Sequence, residues 1–224
     1  MKLYVITRFN MKWKKIDDYS YWMSERLTLF EKYYLKSLSR QKNKNFELVL
    51  LMQQGTEKKY LESLNKLSKK YNIKFNLVFC NGTKDFKENT HKFLKGKKCI
   101  VSRLDSDDCV SDSYVENIVN FFKIEKNRGK ILDYKRLYYL NVKTDECVLV
   151  NYNPGSMFLS MFYTKYMPYG QPHDLLSRVT GMKLAKSEHN DVACICHDTN
   201  ITNSVEKAKK RFKYKKMPKI SWFK

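Results

Sequence analysis

Asp105-Ser106-Asp107-Asp108 places three carboxylates within four residues of a chain whose 44 Lys and Arg outnumber 23 Asp and Glu, for a formal charge of +21. Packed carboxylates repel one another unless a cation lies among them. Hard oxygen ligands suit Mg²⁺ or Mn²⁺, ions that keep open positions for a diphosphate. The cluster follows Cys99-Ile-Val-Ser-Arg-Leu104, a β-type run. Open α/β sheets bind ligands beyond the carboxyl ends of their strands. The competing reading is a solvated acidic turn that caps the next helix. Cys194-Ile-Cys196-His197 is a second candidate ligand group, but two Cys at i, i+2 without a second pair is weak spacing for zinc. Four of the six cysteines lie in or beside predicted strands and behave there as small hydrophobes.

These groups need elements to hold them. Leu3–Thr7 reads as a first strand ending in Thr7-Arg8-Phe9-Asn10. Met23, Leu27, Phe30, Tyr34 and Leu38 recur at steps of four, three, four and four, one helical stripe. Phe46–Met52 is a short buried strand. Residues 57–71 form an amphipathic helix with Leu61, Leu64, Leu67 and Tyr71 on one side. Ile73–Phe79 alternates as a strand and is broken by Asn81-Gly82-Thr83. After the acidic cluster a helix starts near Ser113, with Glu116 completing a capping box and Val115, Ile118, Val119 and Phe122 facing inward. Strand and helix thus alternate through residue 127, the pattern of a parallel α/β sheet with right-handed crossovers. The second half changes texture. Ile131–Val142 and Cys147–Tyr152 read as a hairpin around Lys143-Thr144-Asp145, Ser156–Thr164 as a strand, Gln171–Val179 as a short helix and Asp191–Cys196 as a last strand.

Composition excludes several classes. At 42% apolar and 14% aromatic, with 7 Gly and 4 Pro, the chain is neither disordered nor collagen-like. No apolar run could span a bilayer, and the opening run is too short for a signal peptide. A reducing, cytoplasmic setting with free thiols is the expectation. The basic balance favours polyanionic partners, although a Lys- and Asn-rich composition would produce it without function.

The order of motifs resembles a GT-A type glycosyltransferase and, more narrowly, the putative rhamnosyltransferase family. The matching pieces are Ile6-Thr7-Arg8-Phe9-Asn10; Arg26, Leu29-Phe30 and Tyr33; Leu35-Lys-Ser-Leu38 with Gln41 and Phe46; Arg103-Leu104-Asp105-Ser106-Asp107-Asp108; Pro154-Gly155-Ser156-Met157-Phe158; and His197-Asp198-Thr199-Asn200. They cover about residues 3–200. The resemblance implies an α/β GT-A fold, a Rossmann-like central mixed sheet flanked by helices. One domain over 1–204 would comprise a nucleotide-sugar-binding half, 1–127, and an acceptor half, 128–204, followed by a basic aromatic tail, 205–224. It implies transfer of a sugar from a UDP-, dTDP- or GDP-linked donor to a glycan or lipid-linked acceptor, with Mn²⁺ or Mg²⁺ as cofactor. Asp107 would bind the metal, with His197 and Asp105 near it. Asp105 would face the donor's ribose or sugar, and Asp108 would support the site or touch the sugar. Thr7, Arg8 and Asn10 would lie where base and phosphates bind, and Arg8 and Arg103 offer forked donors to a diphosphate. The sequence departs from the family at Met52-Gln53-Gln54-Gly55, where relatives commonly carry an acid near the base. Gln53 can still accept a hydrogen bond, but the nucleotide preference stays open.

An inverting transfer also needs a general base for the acceptor hydroxyl. Pro172-His173-Asp174 supplies an acid beside a His; Asp174 is the first candidate, His173 the second and Asp191 the third. Residues 207–219 carry eight Lys or Arg among aromatics, which suits a peripheral anionic membrane contact through 207–224. A nucleic-acid partner is disfavoured, because no such binding motif appears and the acidic cluster would be misplaced in a phosphate groove. A catalytically inactive sugar-nucleotide-binding scaffold is the other alternative.

Overall fold

The computed structural model describes residues 1–11, 16–81, 85–152, 155–164, 168–169, 175–197 and 203–218. The turn residues Gly82 and Thr83, the candidate bases His173 and Asp174, and Trp222 and Phe223 lie outside the described residues.

Chain order begins with β1 (Lys2–Arg8), then α1 (Tyr19–Leu29), which passes through a π-helical stretch (Phe30–Leu35) into α2 (Lys36–Ser39). Next come β2 (Phe46–Gln53), α3 (Lys58–Tyr71), β3 (Phe75–Cys80), α4 (Phe86–Leu94), β4 (Cys99–Arg103), β5 (Cys109–Val110) and α5 (Tyr114–Lys123). The second half holds β6 (Lys130–Tyr134), β7 (Arg136–Asn141), β8 (Cys147–Asn151), β9 (Leu159–Phe162), α6 (Leu176–Thr180), β10 (Lys183–Ser187), β11 (Val192–Cys196), α7 (Val205–Arg211) and β12 (Tyr214–Met217).

Seven strands make the main sheet in the order β10-β6-β9-β4-β1-β2-β3, and five make a second sheet in the order β12-β8-β7-β11-β5. β4, β1, β2 and β3 run parallel, as the alternating first half predicts. β9 is antiparallel to both β4 and β6, which makes the main sheet mixed. The central strands are buried on both faces. Leu3 and Val5 of β1 join the cluster under α3 and α5, whereas Tyr4 and Ile6 join the one under α4 and α6. Near-continuous apolar runs are what a parallel sheet covered on both faces requires. On α5, Tyr114, Val115, Ile118, Val119 and Phe122 are the buried face. Each such side chain removed from water stabilises the fold by roughly 1.5–3 kcal/mol.

Several sequence expectations are corrected. The run Ile131–Val142 is two strands in different sheets; exposed Lys135 marks the crossing between β6 and β7. The hairpin is therefore β7–β8 alone. A strand-like run signals β structure on either side of such a crossing but does not say that its two halves pair in different sheets. Residues 171–174 of the expected short helix lie outside the described residues, and the helix seen there is α6. Ser113 caps no backbone N–H with its side chain; its hydroxyl turns to Asp191 instead, at 3.4 Å. The basic segment after Val205 is not a free tail. Over 205–217 it forms α7, whose Val205 and Ala208 are buried, and β12, which pairs antiparallel with β8. α4, β5 and β10 were not anticipated.

Candidate active site

β1 and β4 are adjacent and parallel, with Ile6 opposite Arg103. That register brings Arg8 and Asp105, each two residues further on, together at the carboxyl ends of the two strands. Asp105 is held by three neighbours: Arg103 at 3.2 Å, Arg8 at 3.6 Å and the Tyr169 hydroxyl, which donates at 2.7 Å. The two guanidinium groups also lie over the Tyr169 ring, 4.9 and 4.6 Å from its centroid. Burial works to raise the Asp105 pKa, but the Arg103 and Arg8 charges and the Tyr169 hydrogen bond outweigh it and hold the carboxyl well below its usual range. The carboxylate thus stays charged, and 26% of its side chain still faces the cavity.

The rest of the acidic turn is divided among different partners. Ser106 accepts a hydrogen bond from Arg26 of α1, whose guanidinium lies 4.5 Å from the Trp22 ring. Asp107 meets His197 at 2.9 Å between Oδ2 and Nε2. These residues stand ninety positions apart, and topology joins them. β5 follows the acidic turn and pairs antiparallel with β11, whose end delivers His197. Asp108 is buried and accepts from the Ile195 N–H at 3.2 Å. Burial, followed by the Asp107 and Asp105 charges, raises its pKa well above normal. A buried carboxyl with a single backbone donor beside two anions favours its neutral form.

The expected site residues therefore separate. Arg8, Arg103 and Asp105 gather at one cavity, and Asp107 pairs with His197. Asp105 does not contact that pair through any bond found among the described residues; its partners are Arg103, Arg8 and Tyr169. Among the described residues no three His, Cys, Asp or Glu side chains converge on one metal position. Thr7 and Asn10 are not available to a nucleotide. Thr7 is fully buried and bonded to the Tyr34 hydroxyl, which the π-helical stretch turns inward. Asn10, also fully buried, donates to Tyr19 at 3.0 Å and Thr56 at 2.8 Å and accepts from the Gln53 N–H at 2.9 Å. It latches the ends of β1 and β2 to α1. The Gln53 side chain is half-buried beside it. Asp191, the third candidate base, is 4% exposed and accepts from Ser111 at 2.5 Å and Asn117 at 2.8 Å. It secures the start of α5 and does not line the cavity.

Sequence reasoning missed Tyr169, which no pattern distinguishes from fifteen other tyrosines. It quoted Arg26 only as a family match, although a lone Arg beside an apolar helical stripe was a visible signal. It also read Lys207 and Arg211 as tail. The cavity, about 370 Å³, is lined by Arg8, Arg103 and Asp105 from the ends of β1 and β4, by Lys207 and Arg211 from α7, and by Phe212 just after it. This volume is within the range of small-molecule sites. The Nε atoms of Arg26 and Arg103 are buried with no hydrogen-bond partner among the described residues, so the edge retains donors for an anion.

A mixed sheet with an acidic turn at the end of a parallel strand, and a His from a second sheet closing on it, is the frame of a GT-A glycosyltransferase. The chain belongs to the putative rhamnosyl transferase family, whose model matches residues 17–208. No curated protein sequence matches it. Among solved structures, the chain is similar to Staphylococcus aureus TarS 1-349 in complex with UDP-GlcNAc, at 15% identity and TM-score 0.53, over 89% of this chain and 60% of that one. It is similar to GalNAc-T7 with UDP, GalNAc and Mn²⁺ at 12% identity and TM-score 0.58, over 91% and 44%. It is also similar to the mannosyltransferase PcManGT from Pyrobaculum calidifontis with GDP-Man and Mn²⁺, at 9% identity and TM-score 0.52, over 90% and 58%. At these identities the likeness establishes the fold, and the chain spans 60% or less of each structure's own length. Among the described residues no helix is long and apolar enough to cross a membrane.

Proposed function

We propose that this glycosyltransferase moves a sugar, with inversion, from a nucleotide-diphosphate donor to a glycan or lipid-linked acceptor in the cytoplasm. The observation that carries the reading is the Asp107–His197 pair at 2.9 Å beside Asp105, at the carboxyl ends of β1 and β4. A carboxylate oxygen and an imidazole nitrogen fit Mn²⁺, with Mg²⁺ better served by oxygen donors alone. Asp107 and His197 would hold the ion, and its charge would offset that of the departing diphosphate. Arg103, Arg8 and Arg26 orient the same phosphates through guanidinium donors already in place. Asp105, kept ionised by Arg8 and Arg103, accepts from a donor hydroxyl through the face it leaves open to the cavity. Rhamnose is the donor sugar that the family description favours, and UDP, GDP and dTDP are the nucleotides to test. Asp174, with His173 as the alternative, is proposed as general base for the acceptor hydroxyl; the segment that carries them follows directly on Tyr169.

The test is a thermal-shift panel of UDP-, GDP- and dTDP-linked sugars with and without Mn²⁺, on the native chain and on Asp107→Ala. A ligand at one hundred times its Kd stabilises the native state by about 2.7 kcal/mol. For a chain of this length that corresponds to roughly 5–10 °C. A shift that requires both Mn²⁺ and Asp107 supports the reading and names the nucleotide. No shift with any donor in either metal condition overturns it.

A further inference from the structure

Ser204, Lys207, Ala208 and Arg211 line the cavity from α7, at the i, i+3 and i+4 spacings of one helix face. Lys209 projects elsewhere and bonds Glu146. Four cations therefore face this cavity, Arg8, Arg103, Lys207 and Arg211, and Asp105 is the one carboxylate among its lining residues. Arg8 and Arg103 already hold Asp105. Lys207 and Arg211 are exposed, and no ion pair engages either of them among the described residues. Tyr152 and Phe212 also line it, with ring centroids 4.6 Å apart. The positive charge also continues outward, since Lys210 of α7, Lys213, and Lys215 and Lys216 of β12 are all exposed.

A sugar nucleotide has one diphosphate, and the strand ends already offer it Arg8 and Arg103, with Arg26 of α1 beside the acidic turn. The α7 cations line the cavity from a separate element, and exposed cations follow them along the chain as far as Lys216. Such a row matches a ligand whose negative charge recurs along its length. We propose that α7 and β12 form the acceptor subsite and that the acceptor bears phosphate groups. Its terminal sugar enters between Asp105 and the Tyr152–Phe212 pair, while the phosphates behind it bind Lys207, Arg211 and the row beyond. The inference rests on the donor reading above.

Three binding measurements on the full chain at 0.15 M salt, where distant charges are screened, test it. The probes are medium-chain polyphosphate, phosphatidylcholine vesicles containing phosphatidylglycerol, and UDP, GDP or dTDP with Mn²⁺. Lys207→Gln/Arg211→Gln is compared with Lys66→Gln/Lys69→Gln, which removes the same charge from an exposed part of α3. The expected result is polyphosphate or vesicle binding weakened at least tenfold in the α7 variant and no more than twofold in the α3 variant, with nucleotide binding unchanged within twofold in both. Preference for soluble chain over vesicle, or the reverse, tells which source of phosphate the subsite takes. Absence of binding to either phosphate probe overturns the proposal. So does an equal loss in both variants, which would mean bulk charge, or a parallel loss of nucleotide binding in the α7 variant, which would put α7 in the donor site. Failure of all three nucleotides to bind the native chain overturns the donor reading and the acceptor assignment with it, even where polyphosphate binds.

Discussion

Asp191→Asn separates a catalytic carboxylate from a structural one. Asp191 accepts from Ser111 Oγ at 2.5 Å, Asn117 Nδ2 at 2.8 Å and, weakly, Ser113 Oγ at 3.4 Å. A hydrogen bond to a charged group contributes about 1.5–3 kcal/mol net. Asparagine keeps one acceptor oxygen but turns an amide N–H₂ toward partners that are themselves donors. One charge-assisted bond is lost outright and a second is weakened, at a site 4% exposed to water. The expected cost is about 2–4 kcal/mol. At 2–4 °C per kcal/mol for a chain of this size, the melting temperature falls by roughly 5–15 °C. Urea unfolding followed by tryptophan fluorescence measures the loss. Below the transition, nucleotide binding in Mn²⁺ and slow hydrolysis of the donor should stay within about twofold of the native chain. A variant that loses less than about 0.5 kcal/mol while its turnover falls a hundredfold would refute the reasoning and return Asp191 to the chemistry.

Two further outcomes follow from the same geometry. Asn10→Ala leaves the Gln53 N–H without its acceptor and removes two donors inside a fully buried site; it should cost about 2–4 kcal/mol in urea unfolding, and an unchanged midpoint would show that the latch is not needed. Burial works to raise the Glu47 pKa, but the Asn76 hydrogen bond and the charges of Lys2 and Lys74 bring it below the usual value. A depressed folded pKa means the unfolded chain binds that proton more readily, so the stabilisation is complete above the unfolded pKa near ~4.3 and fades as pH falls through the folded value. The stability difference between native and Glu47→Gln should therefore shrink from pH 5 to pH 3; a constant difference across that range would contradict the assignment.

Much of the first half was legible because its signals are local. Apolar runs in β1, β2 and β4, the stripe from Met23 to Leu38 and the amphipathic face of α3 each depend on neighbours a few residues away. The acidic turn was legible for the same reason: three carboxylates after a β-type run need no partner to be noticed. Readings that depended on distant chain were harder, although Asp107 and His197 do meet across ninety residues. Thr7 and Asn10 sit at the right strand end for a nucleotide, yet Tyr34, Tyr19 and Thr56 take their polar atoms first. The strand-like run over 131–142 divides between two sheets because each half pairs with a different neighbour. β12 is too polar to read as a strand, since it lies at a sheet edge and buries little.

The sequence by itself determined the class of fold, the position of the acidic turn at the end of β4 and the excess of positive charge, since periodicity, spacing and net charge are properties of the chain in order. Tertiary structure alone decided which partners each carboxylate meets. Side chains two residues apart met different partners: Asp105 met Arg8, Arg103 and Tyr169, Asp107 met His197, and Asp108 was buried against β11. Strand pairing set those meetings across as many as ninety residues. An ionisable side chain takes its charge and its role from the groups within a few ångströms, and the order of residues does not give those distances.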